Sequence, residues 1–139
     1  MKVLLDTNVL IGFFRSPSER EEFESRARRP LLLLSSVVAL ELFAGCRTPR
    51  QEKALASFLK PFEKAGRVVT PDYASFQETG RVLAGLGRDG VGAAHCRQIT
   101  NDVLIAVTAS KAGAVVVTAN SRDFSRIERY TPVRWMLPG

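Results

Sequence analysis

Three short runs that contain no polar side chain, Val3–Leu5, Leu31–Leu34 and Ala114–Val117, constrain the fold more than any other feature. Runs this brief fall far short of a membrane span. Without polar alternation they read as strands buried on both faces, the habit of parallel sheets. The stretches between them are longer and carry helix signals. Strands that alternate with helices predict an α/β fold, a central and mostly parallel sheet of four to five strands with helices on both faces.

Taken in order, the first strand stops at Asp6-Thr7-Asn8, side chains that cap helices or make turns. Pro17 to Arg29 is charged with mixed sign and suits a solvated helix, with Phe23 and Ala27 four apart. Ser35 and Ser36 can cap a helix from Val37 to about Cys46. A second helix is expected from Pro49 to about Ala65, with Leu55, Phe58, Leu59 and Phe62 on one face and Gly66 as its stop. Arg67–Thr70 reads as a short strand. A helix begins at Asp72 and carries Phe76, Val82, Leu83 and Leu86, and the glycine-rich segment Arg88–Ala94 reads as a mobile loop. One helix is expected from about Cys96 to Ala112, stopped by Gly113. After the strand at 114–117 come a turn, a short helix around Phe124–Arg129 and an edge strand over Thr131–Trp135 with Pro132 near its start.

No linker, repeat or low-complexity segment divides the 139 residues, so one domain over 1–139 is expected. The N-terminus lacks the features of a signal peptide and no run could cross a membrane, which predicts a cytoplasmic protein with no membrane partner. Cys46 and Cys96 with the lone His95 do not make a usual zinc set. Both cysteines read as buried or free thiols in a reducing compartment, and His95, beside the glycine-rich loop, as an exposed bystander. The net charge of +6 and pI near 9.9 favour a polyanionic partner. The densest basic run holds Arg47, Arg50, Lys53, Lys60, Lys64 and Arg67, which serve equally as a backbone-binding face or as a solvated helix surface.

The chemistry is carried by acids standing alone. Asp6 is the only charge between Lys2 and Arg15, Glu41 the only one between Arg29 and Arg47, and Asp102 the only one between Arg97 and Lys111. Burying an unpaired carboxylate is costly, so each should be paired, hydrogen-bonded or bound to a metal. Asp6 ends the first strand, where it can cap the next helix or face a ligand at the carboxyl edge of the sheet. Glu41 can meet a buried arginine instead, and Asp102 can cap a helix at Val103. In a parallel sheet all three can converge above that edge, and the strand at 114–117 delivers Asn120 and Asp123 to the same place. Asn120 is otherwise a turn residue, and Asp123 a surface partner of Arg122 and Arg126. Converging acids repel. A divalent cation resolves the repulsion, and hard oxygen donors favour Mg²⁺ or Mn²⁺. Acids, such a cation and a basic surface together suggest phosphodiester hydrolysis, with a metal-activated water as nucleophile. Neither a Ser-His nor a Cys-His arrangement has the partners it would need.

These residues carry a resemblance. Leu5-Asp6-Thr7-Asn8-Val9-Leu10 resembles the opening motif of PIN-domain nucleases, and Glu41-Leu42 with Gly45 their second. Asp102 with Ile105-Ala106 and Ala109 resembles the third motif, and Thr118-x-Asn120-x-x-Asp123-Phe124 the fourth. Order and spacing agree along essentially the whole chain, and the length is most similar to VapC-type toxins of toxin–antitoxin systems. The resemblance implies a Mg²⁺-dependent endoribonuclease that hydrolyses RNA, forms a homodimer and is held inactive by a cognate antitoxin, as a hetero-oligomer with it. It implies Asp6 and Asp102 as direct metal ligands, with Glu41 completing the acidic cluster and orienting the attacking water. At the fourth motif the sequence departs, because Asn120 stands where many members carry an acid. Either Asp123 reaches the site through water, or three acids work beside a neutral Asn120. Phe13, Phe14 and Phe23 are candidate exposed apolar contacts for partners.

Competing readings are a PIN nuclease of RNA processing or decay outside a toxin–antitoxin pair, a receiver-like signalling domain and a non-catalytic RNA- or protein-binding module. A receiver needs adjacent acids at its first strand and a late lysine. Here Asp6 stands alone and Lys111 falls within a helix. Intact Asp6, Glu41 and Asp102 weigh against a dead module.

Overall fold

The chain's central strand is also its first. In the computed structural model, which describes residues 1–26 and 29–139, β1 (Lys2–Leu5) lies between β2 (Leu31–Ser35) and β4 (Val115–Val117). The edges are β3 (Val68–Val69) beside β2 and β5 (Arg134–Met136) beside β4. The order β3-β2-β1-β4-β5 is parallel throughout, with Val3 opposite Leu32 on one side and Val115 on the other. Val3, Leu4, Leu5, Val116 and Val117 are buried, as unbroken apolar runs in a doubly covered sheet require. The chain builds outward from β1 to β3 and then returns to the other side of β1. Right-handed crossovers put the helices of the two halves on opposite faces. The strand order therefore reverses between β1 and β4, and open α/β sheets place their ligands beyond the carboxyl ends at such a point.

The helices start where short polar side chains replace the apolar run. Asp6 caps α1 (Thr7–Arg15), Ser35 caps α3 (Ser36–Ala44) by accepting from the Val37 and Val38 amides, and Thr48 caps α4 (Pro49–Lys64). α2 (Pro17–Arg26) has no buried residue. Ala27 lies outside the described residues, so its expected pairing with Phe23 does as well. Phe13, Phe14 and Phe23 are not the exposed contacts expected of them. Phe13 is buried and packs against Phe23 with the rings tilted at 5.5 Å, and Phe14 meets Phe58 of α4 edge-on at 5.2 Å, so these rings fasten α1 to α2 and α4. The exposed large apolar side chains include Leu40 and Phe43 of α3, and Tyr73 and Phe76 of α5 (Tyr73–Arg88).

Several boundaries differ from expectation: β3 is only Val68–Val69, and the last short helix is Ser121–Ile127 rather than Phe124–Arg129. The helix foreseen from Cys96 to Ala112 is two helices, α6 (Ala93–Gln98) and α7 (Thr100–Ala112). Ile99 leaves helical geometry at φ −97° and ψ 7°, and its side chain is buried in the core. The break makes Asp102 a first-turn residue of α7, and α6 takes Ala93 and Ala94 from the expected loop. The last strand starts at Arg134 rather than Thr131, because the Thr131 amide still bonds to the Ile127 carbonyl at the end of α8 (Ser121–Ile127) and Pro132 has no amide to offer. Cys46 and Cys96 are free and half-buried, and among the described residues no helix is long and apolar enough to cross a membrane.

Candidate active site

The carboxyl ends of β1 and β4 are joined at Asp6. Its amide donates to the Val117 carbonyl at 2.9 Å, so the strand pairing continues to the point where the carboxylate leaves the sheet. Asp6 Oδ1 accepts the Thr7 amide at 2.8 Å, which makes it the cap of α1. Oδ2 accepts the Thr118 hydroxyl at 2.7 Å and the Asn8 amide group at 3.3 Å. Asn8 Oδ1 in turn accepts the Ala119 amide at 3.1 Å and ties the two strand ends together again. The helix cap and the candidate metal ligand are thus the same carboxylate. Asp6 is 3 % exposed, and burial is the main reason its carboxyl titrates above the usual range. The Thr118 and Thr7 hydrogen bonds oppose that shift, and the charge of Glu41 adds to it.

Glu41, in the second half of α3, pairs with no arginine among the described residues. Its Oε1 accepts the Thr7 hydroxyl at 2.6 Å, which fixes the side chain against the start of α1. Asp102 stands in the first turn of α7, where Asn120 Nδ2 donates to its Oδ2 at 2.9 Å. Its carboxyl is pushed up to about 7 by burial first, then by the charges of Asp6, Glu41 and Asp123. Asp102 is thus within electrostatic reach of Asp6, Glu41 and Asp123. No ion pair among the described residues involves Asp6, Glu41 or Asp102.

The far side is assembled by Asn120. Its side-chain oxygen caps α8 at the Asp123 amide, and its Nδ2 bridges Asp102 Oδ2 and Asp123 Oδ2, each at 2.9 Å. Asp123 is 8 % exposed and does pair with Arg126, at a long 3.9 Å, but its short contact is His95 Nε2 at 2.8 Å. Burial pushes the Asp123 carboxyl up, but the hydrogen bonds of Asn120 and His95 and the charges of His95 and Arg126 outweigh it and hold it below the usual range. His95 is therefore half-buried and engaged, not a bystander. Sequence reasoning passed over it because nothing local links residue 95 to residue 123. Only the turn of the chain at Ile99 brings α6 onto the start of α8. Thr7 and Thr118 were likewise visible as motif letters but not as the donors that hold Glu41 and Asp6.

Among the described residues no three acids, histidines or cysteines stand close enough to close around one ion as they are. The donor chemistry fits a hard cation nonetheless. Asp6 keeps a lone pair on Oδ1 and Asp102 a free Oδ1, both are hard oxygens, and among the described residues no cation pairs with Asp102, whose carboxyl burial and the neighbouring acids push up to about 7.

Comparison with known proteins agrees with this geometry. Residues 3–130 match the PIN domain. The tRNA(fMet)-specific endonuclease VapC of Shigella flexneri is 30 % identical over 131 residues, which span 91 % of this chain and 92 % of that protein. The protein of the same name from Salmonella typhimurium is 30 % identical over 129 residues, with the same coverage. DNA-bound VapBC from Salmonella typhimurium has a chain that overlays 100 % of this one and 99 % of itself, at a TM-score of 0.70 and 27 % identity. A chain of VapBC2 from Rickettsia felis, bound to a promoter DNA fragment, shares the fold at a TM-score of 0.71 and 23 % identity, covering 99 % of this chain and 98 % of its own. With a match that runs from the first strand past the last helix, and relatives aligned over nearly their whole length, this chain belongs to the PIN-domain family, among its VapC-type members.

Proposed function

We propose that the protein is a Mg²⁺-dependent endoribonuclease and the toxin of a toxin–antitoxin pair, with Mn²⁺ able to replace Mg²⁺. The observation that carries the reading is the set of four carboxylates at the β1/β4 switch point, three of them without a basic partner among the described residues. Asp6 and Asp102 would hold the ion. A bound divalent cation supplies charge neutralisation on the phosphate and acidifies a water ligand. The chain's own residues do the remaining work. Thr118 and the Thr7 amide hold the Asp6 carboxylate, and Asn120 holds Asp102. Glu41, anchored through Oε1 by Thr7, has Oε2 free to orient the attacking water. Asn120 and Asp123 complete the far wall, with Asn120 neutral and Asp123 engaged by His95. The exposed cations of α4 and the net charge of +6 suit a polyanionic substrate.

Transfer RNA is the first RNA class to assay, since VapC relatives are named for tRNA(fMet). The VapBC chains that share this fold support a cognate antitoxin as partner. Leu40 and Phe43 on α3, and Tyr73 and Phe76 on α5, leave apolar surface for the antitoxin and for a homodimer. A cytoplasmic, single-domain protein over 1–139 is consistent with both. The test is co-expression with the product of the neighbouring gene, followed by cleavage assays on defined RNAs with and without it. The protein alone should cleave tRNA, and the co-purified partner should suppress cleavage. A neighbour that neither binds nor inhibits would remove the toxin–antitoxin assignment and leave the nuclease.

A further inference from the structure

Beside the carboxylates lies a cleft of about 320 Å³, in the range of small-ligand pockets at roughly 300–1,000 Å³. It is walled by the Asp89–Gly92 turn and α6 on one side and the end of α8 on the other. Its charged lining is mostly cationic. Arg126 and Arg129 line it, against the single carboxylate of Asp89, and His95 lines it while bonding to Asp123 at 2.8 Å. Arg129 is exposed and makes no ion pair among the described residues, so its charge is free for a ligand. The aromatic ring of Tyr130 forms part of the wall and is seated on Gly85 of α5. A Cβ at Gly85 would lie 2.6 Å from the ring, so the absence of a side chain there is what allows the tyrosine this position.

Cations that can take a phosphate, next to an aromatic ring that can take a base, are the two elements of single-stranded nucleic-acid binding. We propose that this cleft is a nucleotide subsite of the enzyme, which takes the RNA residue adjoining the scissile phosphate. A backbone phosphate lies on Arg129 with Arg126 behind it, and the base stacks on Tyr130. His95 and Arg126 belong to both cleft and acid cluster, so a nucleotide held here is next to Asp123. The assignment rests on the ribonuclease reading above and adds to it where the substrate is gripped.

The test uses full-length protein and a short single-stranded RNA. Arg129→Ala should raise KM several-fold more than it lowers kcat. In the Asp6→Asn background, Arg129→Ala should weaken RNA binding by anisotropy and reduce the slope of log affinity against log salt by about 0.7, the share of one phosphate contact on a single strand. Tyr130→Phe should bind as the parent does and Tyr130→Ala more weakly. Arg129 is exposed, so its result stands even if Tyr130→Ala fails to fold. Lys53→Ala with Lys60→Ala on α4 is the competing arm. If wild-type protein cleaves RNA while Arg129→Ala leaves KM and salt slope unchanged, the subsite is refuted and the nuclease stands. The same holds if only the α4 change weakens binding. If wild-type protein neither binds nor cleaves RNA, both readings fall.

Discussion

Asp102 is the residue on which the electrostatics of the site converge. Its carboxyl is pushed up to about 7 by burial and by three neighbouring acids, against an ordinary value near 3.8. Between those two pH values the folded chain holds a proton at Asp102 that the unfolded chain has released. Stability from this group therefore falls as pH rises through that window and stays low above it. Asp123 acts in the opposite sense: its lowered carboxyl contributes stability above the ordinary carboxylate range, and that is lost only as pH falls below it. In EDTA, Asp102→Asn should raise the melting temperature at pH 8 by more than at pH 5. Added Mg²⁺ should raise the wild-type value at pH 8 and have little effect on the variant. Differential scanning fluorimetry at the two pH values reads both effects, and equal shifts at pH 5 and pH 8 would contradict the electrostatic account.

At the scale of elements, the site depends on where helices begin and end. Asp6, Ser35, Thr48, Asp72 and Asn120 all accept backbone amides at helix starts, and two of these caps are candidate site residues. Capping chemistry is local, so a sequence displays it, and Asp6 could be placed at the end of β1 without a structure. The break at Ile99 is not local. It coincides with the buried Ile99, and no spacing rule around Cys96–Ala112 announces it. His95 stayed hidden for the same reason. The junction that sets β4 beside β1 has a simple physical requirement at Gly113, whose φ of +69° closes α7 in the left-handed region. Gly113→Ala should destabilise the fold by about 1 kcal/mol through that strain. Urea unfolding would report it as a lower midpoint with an unchanged slope, and an unchanged midpoint would contradict the role given to the glycine.

For the whole molecule, uninterrupted apolar strands, alternating helices and isolated acids were enough to read a parallel α/β sheet with acids at one edge. The order β3-β2-β1-β4-β5 was not legible, because pairing partners are chosen by the packing of distant segments. Yet that order is what makes the acids meet: β4 returning beside β1 sets Thr118 on Asp6 and carries Asn120 to Asp102. The direct test of this account is RNA cleavage measured across a Mg²⁺ titration for wild-type protein and Asp6→Asn. Cleavage should saturate with Mg²⁺, vanish in EDTA and fall at least about 100-fold in Asp6→Asn, a loss comparable to that of a single strong electrostatic contact to the transition state. Undiminished cleavage in EDTA, or by a folded Asp6→Asn protein, would contradict it.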